Sequence, residues 1–193
     1  MEYKLIALDI DGTLLNSSNQ ITENVKEAIR KSKEKGVKVV LCTGRPLKGV
    51  ENFLDELNLK EEGDYVSTFN GALVQDAHTG KPISHLTLDY EDLCDLYDLS
   101  VEVGSRSHFY DTRTVYTFNR EVSDYTILEA YLTGVHLNVT ELDEVPKDIA
   151  MSKFMMIDHP EILDECIKKI PEEYYEKYTI VRSTPFFLEI LNK

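Results

Sequence analysis

The sequence has few of the features that mark membrane or secreted proteins. None of its apolar runs approaches the roughly 20 residues that a membrane-spanning helix needs. The N-terminus leads straight into a short apolar strand pattern, without the basic segment, longer apolar core and cleavage site of a signal peptide. We therefore expect a cytoplasmic protein.

Cysteine and histidine are too scattered to indicate a disulfide framework or a zinc site. The three cysteines form no C-x-x-C pair and lie in apolar stretches, which favours reduced thiols in the core. The five histidines form no H-x-H or H-E-x-x-H pair, so zinc binding is not expected. The cysteines are Cys42, Cys94 and Cys166, and the histidines are His78, His85, His108, His136 and His159.

Positive charge is also scarce. Lys and Arg number 21 against 35 Asp and Glu, which gives a net charge of −14 over 193 residues. Because such a chain repels a phosphate backbone and shows no concentrated basic patch, nucleic-acid binding is not expected. An anionic substrate would need a local reversal of the field, by a metal ion or by aimed backbone amides.

The first 70 residues alternate between strand and helix patterns. Short apolar runs predict buried strands, and apolar positions at helical spacing predict the segments between them. Strand–helix–strand–helix–strand with short links is typical of a right-handed, parallel, doubly wound α/β sheet. The strands are expected at 5–10, 37–42 and 65–70, and the helices from Thr22 to Gly36 and from Pro46 onward.

The rest of the chain predicts an α+β module with a mostly antiparallel sheet and a boundary near residues 82–88. Hairpins are expected at 73–88 and 108–119, helices at 89–104, 123–132 and 160–170, and strands at 136–140, 152–157, 178–182 and 186–191. Strand alternation predicts that Met155, Ile157, Val181 and Phe187 are buried on one face. His108, Tyr110, Arg113 and Tyr116 are expected on a solvated hairpin face with aromatic cross-strand packing.

Each of the first three strands ends in polar residues beside a glycine. In an open parallel sheet, ligands bind outside these carboxyl ends. Two adjacent carboxylates repel and need a cation or a shared proton, and a hydroxyl and amides at a helix start suit a phosphate group. A pair of solvated loop acids beside a turn glycine is the alternative interpretation. The residues concerned are Asp9, Asp11 and Gly12, then Thr43 and Gly44, then Asn70 and Gly71.

These motifs resemble those of a known family. Leu5–Leu15 is similar to motif I of the haloacid-dehalogenase-like (HAD) phosphohydrolases, and Val40–Pro46 to motif II. Asn70-Gly71-Ala72 is typical of the Cof-type branch, and segments 155–158 and 185–190 resemble YidA-type sugar phosphatases. The resemblance implies the first half of a Rossmann-like, doubly wound parallel core at 1–83. A complete α+β cap of the Cof type would follow at 84–191.

The resemblance also implies roles for the residues at the strand ends. Asp9 would be the nucleophile that becomes a phosphoaspartate, and Asp11 the general acid and base. The Asp9 carboxylate and the Asp11 backbone carbonyl would hold Mg²⁺. Transferring phosphoryl oxygens would bind the Ile10 and Gly44 amides and the Thr43 hydroxyl, with Arg45, Asn70 and Gly71 as further substrate candidates. The implied activity is Mg²⁺-dependent hydrolysis of small phosphorylated metabolites, with sugar phosphates as the first expectation.

The family pattern continues with a motif III lysine and a motif IV acid, which would fall beyond Lys193. We therefore expect a C-terminally truncated form that lacks the rest of the core and self-associates through its incomplete sheet. Two alternatives stay open. One is a catalytically inactive fragment, and the other is a non-enzymatic phosphoacceptor.

Overall fold

The computed structural model describes residues Tyr3 to Lys193. The chain divides into two compact units, with the boundary between His85 and Leu86. No helix within this described range is both long and apolar enough to cross a membrane.

The first unit contains a five-stranded sheet in the order β1-β2-β3-β4-β5. β1, β2 and β3 run parallel to one another, while β4 and β5 continue the sheet as an antiparallel hairpin. The predicted α/β class and the three parallel strands are confirmed. The strands span Leu5–Asp9 (β1), Lys38–Cys42 (β2), Tyr65–Thr68 (β3), Leu73–Asp76 (β4) and Pro82–His85 (β5).

One of the two helices predicted for this unit forms as expected, and the other is divided into two short segments. α1 spans Glu23–Glu34, preceded by Thr22 and followed by Gly36 with a φ of 78°, as predicted. The helix expected from Pro46 is instead a 3₁₀ turn at Leu47–Gly49 and a short α2 at Glu51–Glu56. Gly49 weakens the helix at this point, and the buried Val50 has a φ of −130° that separates the two segments.

β1 lies at the edge of the first sheet. Within the described part of the chain, β2 is the strand that pairs with it, and no strand pairs with its other side. Leu5 is consequently 56% exposed, whereas Leu41 and Val66 on the inner strands are fully buried. An apolar side chain left in water at this position forfeits part of the roughly 1.5–3 kcal/mol that its burial would contribute.

The second unit contains a six-stranded sheet in the order β10-β11-β9-β6-β7-β8. Its strands span Ser107–Tyr110 (β6), Thr114–Thr117 (β7), His136–Val139 (β8), Lys153–Ile157 (β9), Thr179–Thr184 (β10) and Phe187–Leu191 (β11). Its helices span Tyr90–Val103 (α3), Asp124–Thr133 (α4), Pro160–Ile167 (α5) and Glu172–Lys177 (α6). The short α6 was not expected from the sequence.

One strand pair departs from the antiparallel pattern. β7 and β8 are parallel, because the chain crosses between them through α4 rather than through a tight turn. α3 begins with a capping box formed by Asp89 and Asp92, and it ends at Gly104 in the left-handed conformation, as the sequence predicts.

Helices pack on both faces of this sheet. α3 and α5 contribute Leu96 and Leu163 to an apolar core with Phe109 and Phe154 on one face. α4 lies on the other face, where its Thr126 hydroxyl is 3.1 Å from Nδ1 of the buried His108. All five residues of β9 and of β11 are therefore buried, rather than alternating between core and solvent.

Two sequence expectations for this sheet are wrong. Val181 is 45% exposed because β10 is an edge strand, although Met155, Ile157 and Phe187 are buried as expected. His108 and Tyr110 are fully buried rather than solvated, since α4 covers their face of the sheet. The expected cross-strand aromatic packing is present, with the Phe109 and Tyr116 rings stacked at 5.1 Å.

A buried charged cluster lies beneath α4. Lys153 on β9 is 2.8 Å from the Glu189 carboxylate on β11 and 4.0 Å from the Glu129 carboxylate on α4. The Tyr110 hydroxyl donates a hydrogen bond to Glu129. Burial raises the pKa of Tyr110 well above its usual range, which keeps this hydroxyl protonated as a donor. Ionic and polar contacts therefore attach α4 to the sheet.

The entry and exit of the second unit are adjacent. The Asn192 side chain donates a hydrogen bond to the Thr87 carbonyl at 2.7 Å, and Leu88 exchanges two backbone hydrogen bonds with Met151. The last residues of this unit therefore lie beside its first residues.

Because His108 is buried, we expect the folded protein to lose stability in mild acid. Burial lowers its pKa well below the reference value of 6.5, so the unfolded chain takes up the proton first. The stability that the neutral, buried His108 contributes is fully present above pH 6.5. It is lost as the pH falls from there toward the lower pKa of His108 in the folded state. In urea titrations from neutral to acidic pH, the unfolding free energy of a His108→Gln variant should fall less steeply than that of the parent. Parallel pH curves would contradict the assignment.

Candidate active site

The end of β1 is shaped by a tight reversal. Asp9 is the last residue of the strand. Ile10–Leu14 form a kinked turn whose backbone is non-helical at Asp11 and Gly12, and the Leu15 amide closes it by donating to the Ile10 carbonyl at 3.1 Å. Gly12 has a φ of 79°, which an L side chain rarely adopts, so the glycine permits the reversal. The Thr13 hydroxyl donates to Oδ2 of Asp9 at 3.1 Å and fixes one oxygen of that carboxylate.

The end of β2 brings Arg45 onto Asp11. The guanidinium makes two hydrogen bonds to the carboxylate, from Nε at 3.0 Å and from Nη2 at 2.7 Å. A bidentate arginine fixes both the position and the orientation of a carboxylate. The Phe53 ring of α2 lies with its centroid 6.0 Å from the guanidinium carbon, at the outer limit of a cation–π contact.

Thr43 is nearly buried, and its hydroxyl accepts a hydrogen bond from the Arg45 amide at 3.1 Å. The Thr43 amide donates to the Ser67 carbonyl of β3 at 3.0 Å. The first bond closes the turn after β2, and the second holds this turn against the end of β3.

The end of β3 is strained. The predicted strand stops at Thr68, and Phe69, Asn70 and Gly71 have φ values of 51°, 55° and 94°. Asparagine and glycine tolerate this conformation, but a phenylalanine in it costs on the order of 1–3 kcal/mol. The Asn70 amide donates to the Thr43 carbonyl at 2.9 Å, and the Phe69 amide donates to the Arg45 carbonyl at 3.2 Å. The strained turn is thereby bonded to the end of β2.

Gly44 is required by the close approach of Asn70. A Cβ atom added to Gly44 would lie 2.5 Å from the Asn70 side-chain oxygen, well inside van der Waals contact. A larger residue at position 44 would therefore displace the Asn70 side chain or the turn after β2.

Cys42 is the neighbour of Asp9 across the β1–β2 pair. Burial raises the pKa of its thiol, and the negative charge of Asp9 adds to the effect. The thiol therefore remains neutral, which makes it unsuited to act as a nucleophile or as a metal ligand.

The structure brings several of the sequence-predicted site residues into contact. Asp11 meets Arg45, and Thr43 and Gly44 meet Asn70, while Asp9, Ile10 and Gly71 occupy the adjoining turns. The pairing of Arg45 with Asp11 and the bond from Thr13 to Asp9 were not anticipated. The strained Phe69 was also missed, because the sequence of a strand end gives no signal for a left-handed phenylalanine.

The donor chemistry at the end of β1 suits a hard divalent cation. Among residues 3–193, no group of three or more His, Cys, Asp and Glu side chains could jointly hold a metal ion. Mg²⁺ does not need such a group, since it keeps several waters and is often bound through one or two carboxylates. Thr13 engages Oδ2 of Asp9, and the Asp9 carboxylate together with the Asp11 carbonyl would supply oxygen ligands of the required type.

This fold and these motifs define a class of hydrolase. The haloacid dehalogenase-like hydrolase family matches residues 6–193, so the chain belongs to that family, and its enzymatic class is that of a phosphatase. YxeH of Bacillus subtilis is 55% identical over 190 residues, which cover 98% of this chain and 70% of YxeH. M6_Spy0533 of Streptococcus pyogenes is 43% identical over 194 residues, covering 100% and 71%. Both are described as a "putative phosphatase".

Solved structures agree with this assignment. A haloacid dehalogenase-like hydrolase from Bacteroides thetaiotaomicron superposes with a TM-score of 0.84 at 26% identity, over 100% of this chain and 72% of that protein.

A more distant relative, YitU of Bacillus subtilis, is described as a 5-amino-6-(5-phospho-D-ribitylamino)uracil phosphatase. It is 28% identical over 186 residues, which cover 85% of this chain and 66% of YitU.

Proposed function

We propose that this chain carries the nucleophile half of a phosphatase site that hydrolyses small phosphorylated metabolites through a phosphoaspartate on Asp9. The observation that carries the proposal is the convergence of three strand ends, which places the Asp11–Arg45 pair, Thr43 and Gly44 at one edge of the parallel strands. Sugar phosphates are the first substrate class to test. The description of YitU adds phosphorylated ribityl compounds with a pyrimidine ring.

The proposed chemistry gives the two acids different roles. The Asp9 carboxylate attacks phosphorus, and the bond from phosphorus to the ester oxygen breaks while a protonated Asp11 gives its proton to the leaving oxygen. The Asp11 carboxylate then accepts a proton from the water that attacks the phosphoaspartate, which releases phosphate and restores Asp9. The Thr43 hydroxyl and the Ile10 and Gly44 amides would bind the equatorial oxygens. A bound Mg²⁺ would neutralise charge between the Asp9 carboxylate and the phosphoryl group.

Arg45 would position Asp11 between these steps. Its two hydrogen bonds fix the position and orientation of the Asp11 carboxylate, which accepts the proton of the attacking water in the second step. Proton donation in the first step requires that this contact loosen, so the guanidinium would move toward the anionic substrate as it binds. Arg45 is therefore a positioning residue in this scheme.

A steady-state assay tests the proposed function directly. Hydrolysis of an aryl phosphate should require Mg²⁺ and produce stoichiometric inorganic phosphate. The assay should compare the 193-residue chain with a longer form that carries the lysine and acid that the family resemblance places beyond residue 193. A stable phosphoenzyme without turnover in both forms would favour a phosphoacceptor instead. No phosphate release and no phosphoenzyme in either form would overturn the proposal.

Two replacements of Arg45 should separate its effect on the orientation of Asp11 from the effect of its positive charge. Arg45→Met should lower kcat by about 10-fold or more, because Asp11 loses the partner that orients it. Arg45→Lys keeps the charge but not the planar fork, so it should recover only part of the loss. The deficit should lie in hydrolysis of the phosphoaspartate, so labelled phosphoenzyme should accumulate in Arg45→Met when an aryl phosphate is the substrate. Lys48→Met, which removes an exposed cation paired with Glu51, is the matched control and should leave kcat unchanged. A lower kcat without accumulation of phosphoenzyme would count against a role through Asp11 in the second step.

Enlarging Gly44 should disturb the phosphate-binding turn. Gly44→Ala should reduce kcat by up to about 10²-fold, because the new methyl group meets the Asn70 side chain and shifts the reacting groups. Asn70→Gly tolerates the same left-handed backbone and removes the obstacle. The Gly44→Ala/Asn70→Gly double variant should therefore be more active than Gly44→Ala alone. If the losses in kcat of the two single variants add in the double variant, the close approach of residues 44 and 70 is not the cause of the lower activity of Gly44→Ala.

A further inference from the structure

A short series of buried hydrogen bonds lies at the base of the strained turn after β3. Gln75 on β4 donates from Nε2 to the Thr68 hydroxyl at 3.0 Å, and this hydroxyl donates to the Leu73 carbonyl at 3.2 Å. Thr68 and Leu73 are opposite each other in the β3–β4 pair, and residues 69–72 form the loop that joins them. The hydrogen bonds therefore close this loop where it starts and ends.

The two polar side chains occupy positions that apolar residues could fill. Thr68 is fully buried and Gln75 is 4% exposed, and Val66, which pairs with Gln75, is fully buried on the same face. Burial of a hydroxyl or an amide is unfavourable unless it is hydrogen-bonded, and an apolar pair has no such requirement. Packing alone therefore does not account for a threonine and a glutamine at these positions.

The turn that these bonds close holds the residues after β2 on both sides of Gly44. The Phe69 amide donates to the Arg45 carbonyl at 3.2 Å, and the Asn70 amide donates to the Thr43 carbonyl at 2.9 Å. In an extended strand, successive N–H groups point to opposite sides, so two adjacent amides cannot both reach one neighbouring segment. They do so here because the backbone leaves the extended conformation at Phe69, with a φ of 51°.

The left-handed conformation of Phe69 needs support from its surroundings. A non-glycine residue keeps such a conformation only where the structure around it leaves no relaxed alternative. The bonds of Thr68 and Gln75 fix both ends of the loop, and the Ala72 amide donates to the Phe69 carbonyl at 3.0 Å within it. A loop of four residues with fixed ends has few other conformations, so these bonds oppose the relaxation of Phe69.

We propose that Thr68 and Gln75 are positioning residues for the phosphate-binding turn at Thr43 and Gly44. The inference rests on the proposed function, in which the Thr43 hydroxyl and the Gly44 amide bind phosphoryl oxygens. Without the buried hydrogen bonds, Phe69 relaxes, its amide turns away from the end of β2, and these two donors lose their orientation. Such donors act mainly on charge that develops in the transition state, so their misalignment lowers kcat more than it raises KM.

Hydrogen exchange followed by NMR tests the structural part of the proposal without relying on activity. Thr68→Val removes the hydroxyl from a side chain of the same shape and should raise the exchange rates of the Phe69 and Asn70 amides by about 10-fold or more. The Leu41 amide of β2 reports wider opening of the sheet and should change less. Thr117→Val is the matched control, because the Thr117 hydroxyl is also buried and donates to a strand carbonyl, at 2.8 Å, in the second unit. Unchanged exchange at residues 69 and 70 in Thr68→Val would overturn the proposal.

Steady-state kinetics with an aryl phosphate, on the form of the protein that turns over, tests the link to the reaction. Thr68→Val should lower kcat by about 10-fold and change KM by less than about 3-fold. Thr68→Ser keeps the hydroxyl and should stay close to the parent. Gln75→Met leaves the bond from Thr68 to Leu73 and should lose less than Thr68→Val. Thr117→Val should keep the kcat of the parent. An unchanged kcat in Thr68→Val, or a loss that Thr68→Ser shares, would overturn the positioning role.

A double-variant cycle distinguishes positioning from a general loss of stability. In the parent, the methyl group of Gly44→Ala meets the Asn70 side chain. In Thr68→Val the turn no longer holds Asn70 there, so Gly44→Ala should cost at least about 3-fold less in kcat than it does in the parent. Losses that simply add would overturn the proposal, because Thr68 would then act independently of the turn.

The exchange experiment also separates this proposal from the proposed function. A parent that releases no phosphate and forms no phosphoenzyme in either form overturns the proposed function and, with it, the positioning role. The exchange rates at residues 69 and 70 then still decide whether Thr68 holds the strained turn. Faster exchange in Thr68→Val together with normal turnover would overturn the positioning role alone.

Discussion

Asp9→Asn is expected to abolish phosphoenzyme formation and to reduce turnover to background, a loss of at least about 10³-fold. The amide that replaces the carboxylate is not a nucleophile, while its size and its bond from Thr13 can be kept. The measurement is acid-quenched trapping of labelled phosphoenzyme with an aryl phosphate, made on whichever form of the protein turns over. Retention of labelled enzyme in Asp9→Asn would place the nucleophile elsewhere.

Asp11→Asn is the matched comparison for this experiment. It should still form phosphoenzyme from an aryl phosphate, whose leaving group needs little protonation, while turnover falls by about 10²–10⁴-fold. The asparagine can accept hydrogen bonds from Arg45 but cannot transfer protons. If the two variants lose phosphoenzyme formation equally even with a good leaving group, the division of roles between the two acids is wrong.

Lys153→Met is expected to lower the unfolding free energy of the second unit by about 3–5 kcal/mol. The substitution leaves Glu189, which is 4% exposed, without the cation 2.8 Å from its carboxylate. An uncompensated buried charge of this kind costs several kcal/mol, comparable with a large part of a domain's stability. Urea unfolding followed by far-ultraviolet circular dichroism measures the change.

Two further variants show whether the lost ion pair is the cause. Lys153→Met/Glu189→Leu removes both members of the closest pair and should be more stable than Lys153→Met alone, since Glu129 then remains as the one carboxylate of the cluster and keeps its hydrogen bond from Tyr110. Arg120→Met breaks the exposed pair with Glu141 and should change stability by less than about 1 kcal/mol. A double variant less stable than the single would mean that packing, and not charge, dominates this cluster.

The strand ends of the first unit could be read from the sequence because each signal there is local. The apolar runs, the helix stop at Gly36 and the polar residues after each strand depend on neighbours in the chain. The contact between Asp11 and Arg45 joins residues 34 positions apart, and two short motifs do not specify how a side chain crosses between them. The left-handed Phe69 is likewise imposed by its bond to Arg45 and by the Asn-Gly that follows.

The second unit was harder to predict because tertiary contacts override its alternation. β9 and β11 are buried on both faces, so they carry apolar, lysine and glutamate side chains in a pattern that does not identify a solvent side. α4 presents the same difficulty, since polar contacts attach it to the sheet and its apolar residues face outward. A periodicity argument assumes that the apolar side is the inner side, and in α4 that assumption fails.

The hydrogen bond between Asn192 and Thr87 makes the second unit suited to circular permutation. Because its entry and exit lie side by side, a linker of a few residues could join them without disturbing the sheet. New ends could then be opened in the Asp111–Arg113 turn between β6 and β7, where Arg113 is exposed. The strand order in space would stay the same while the order along the chain changed. Chain connectivity and architecture are therefore separable in this unit, which would allow it to be transplanted as a single piece into an exposed loop of another protein.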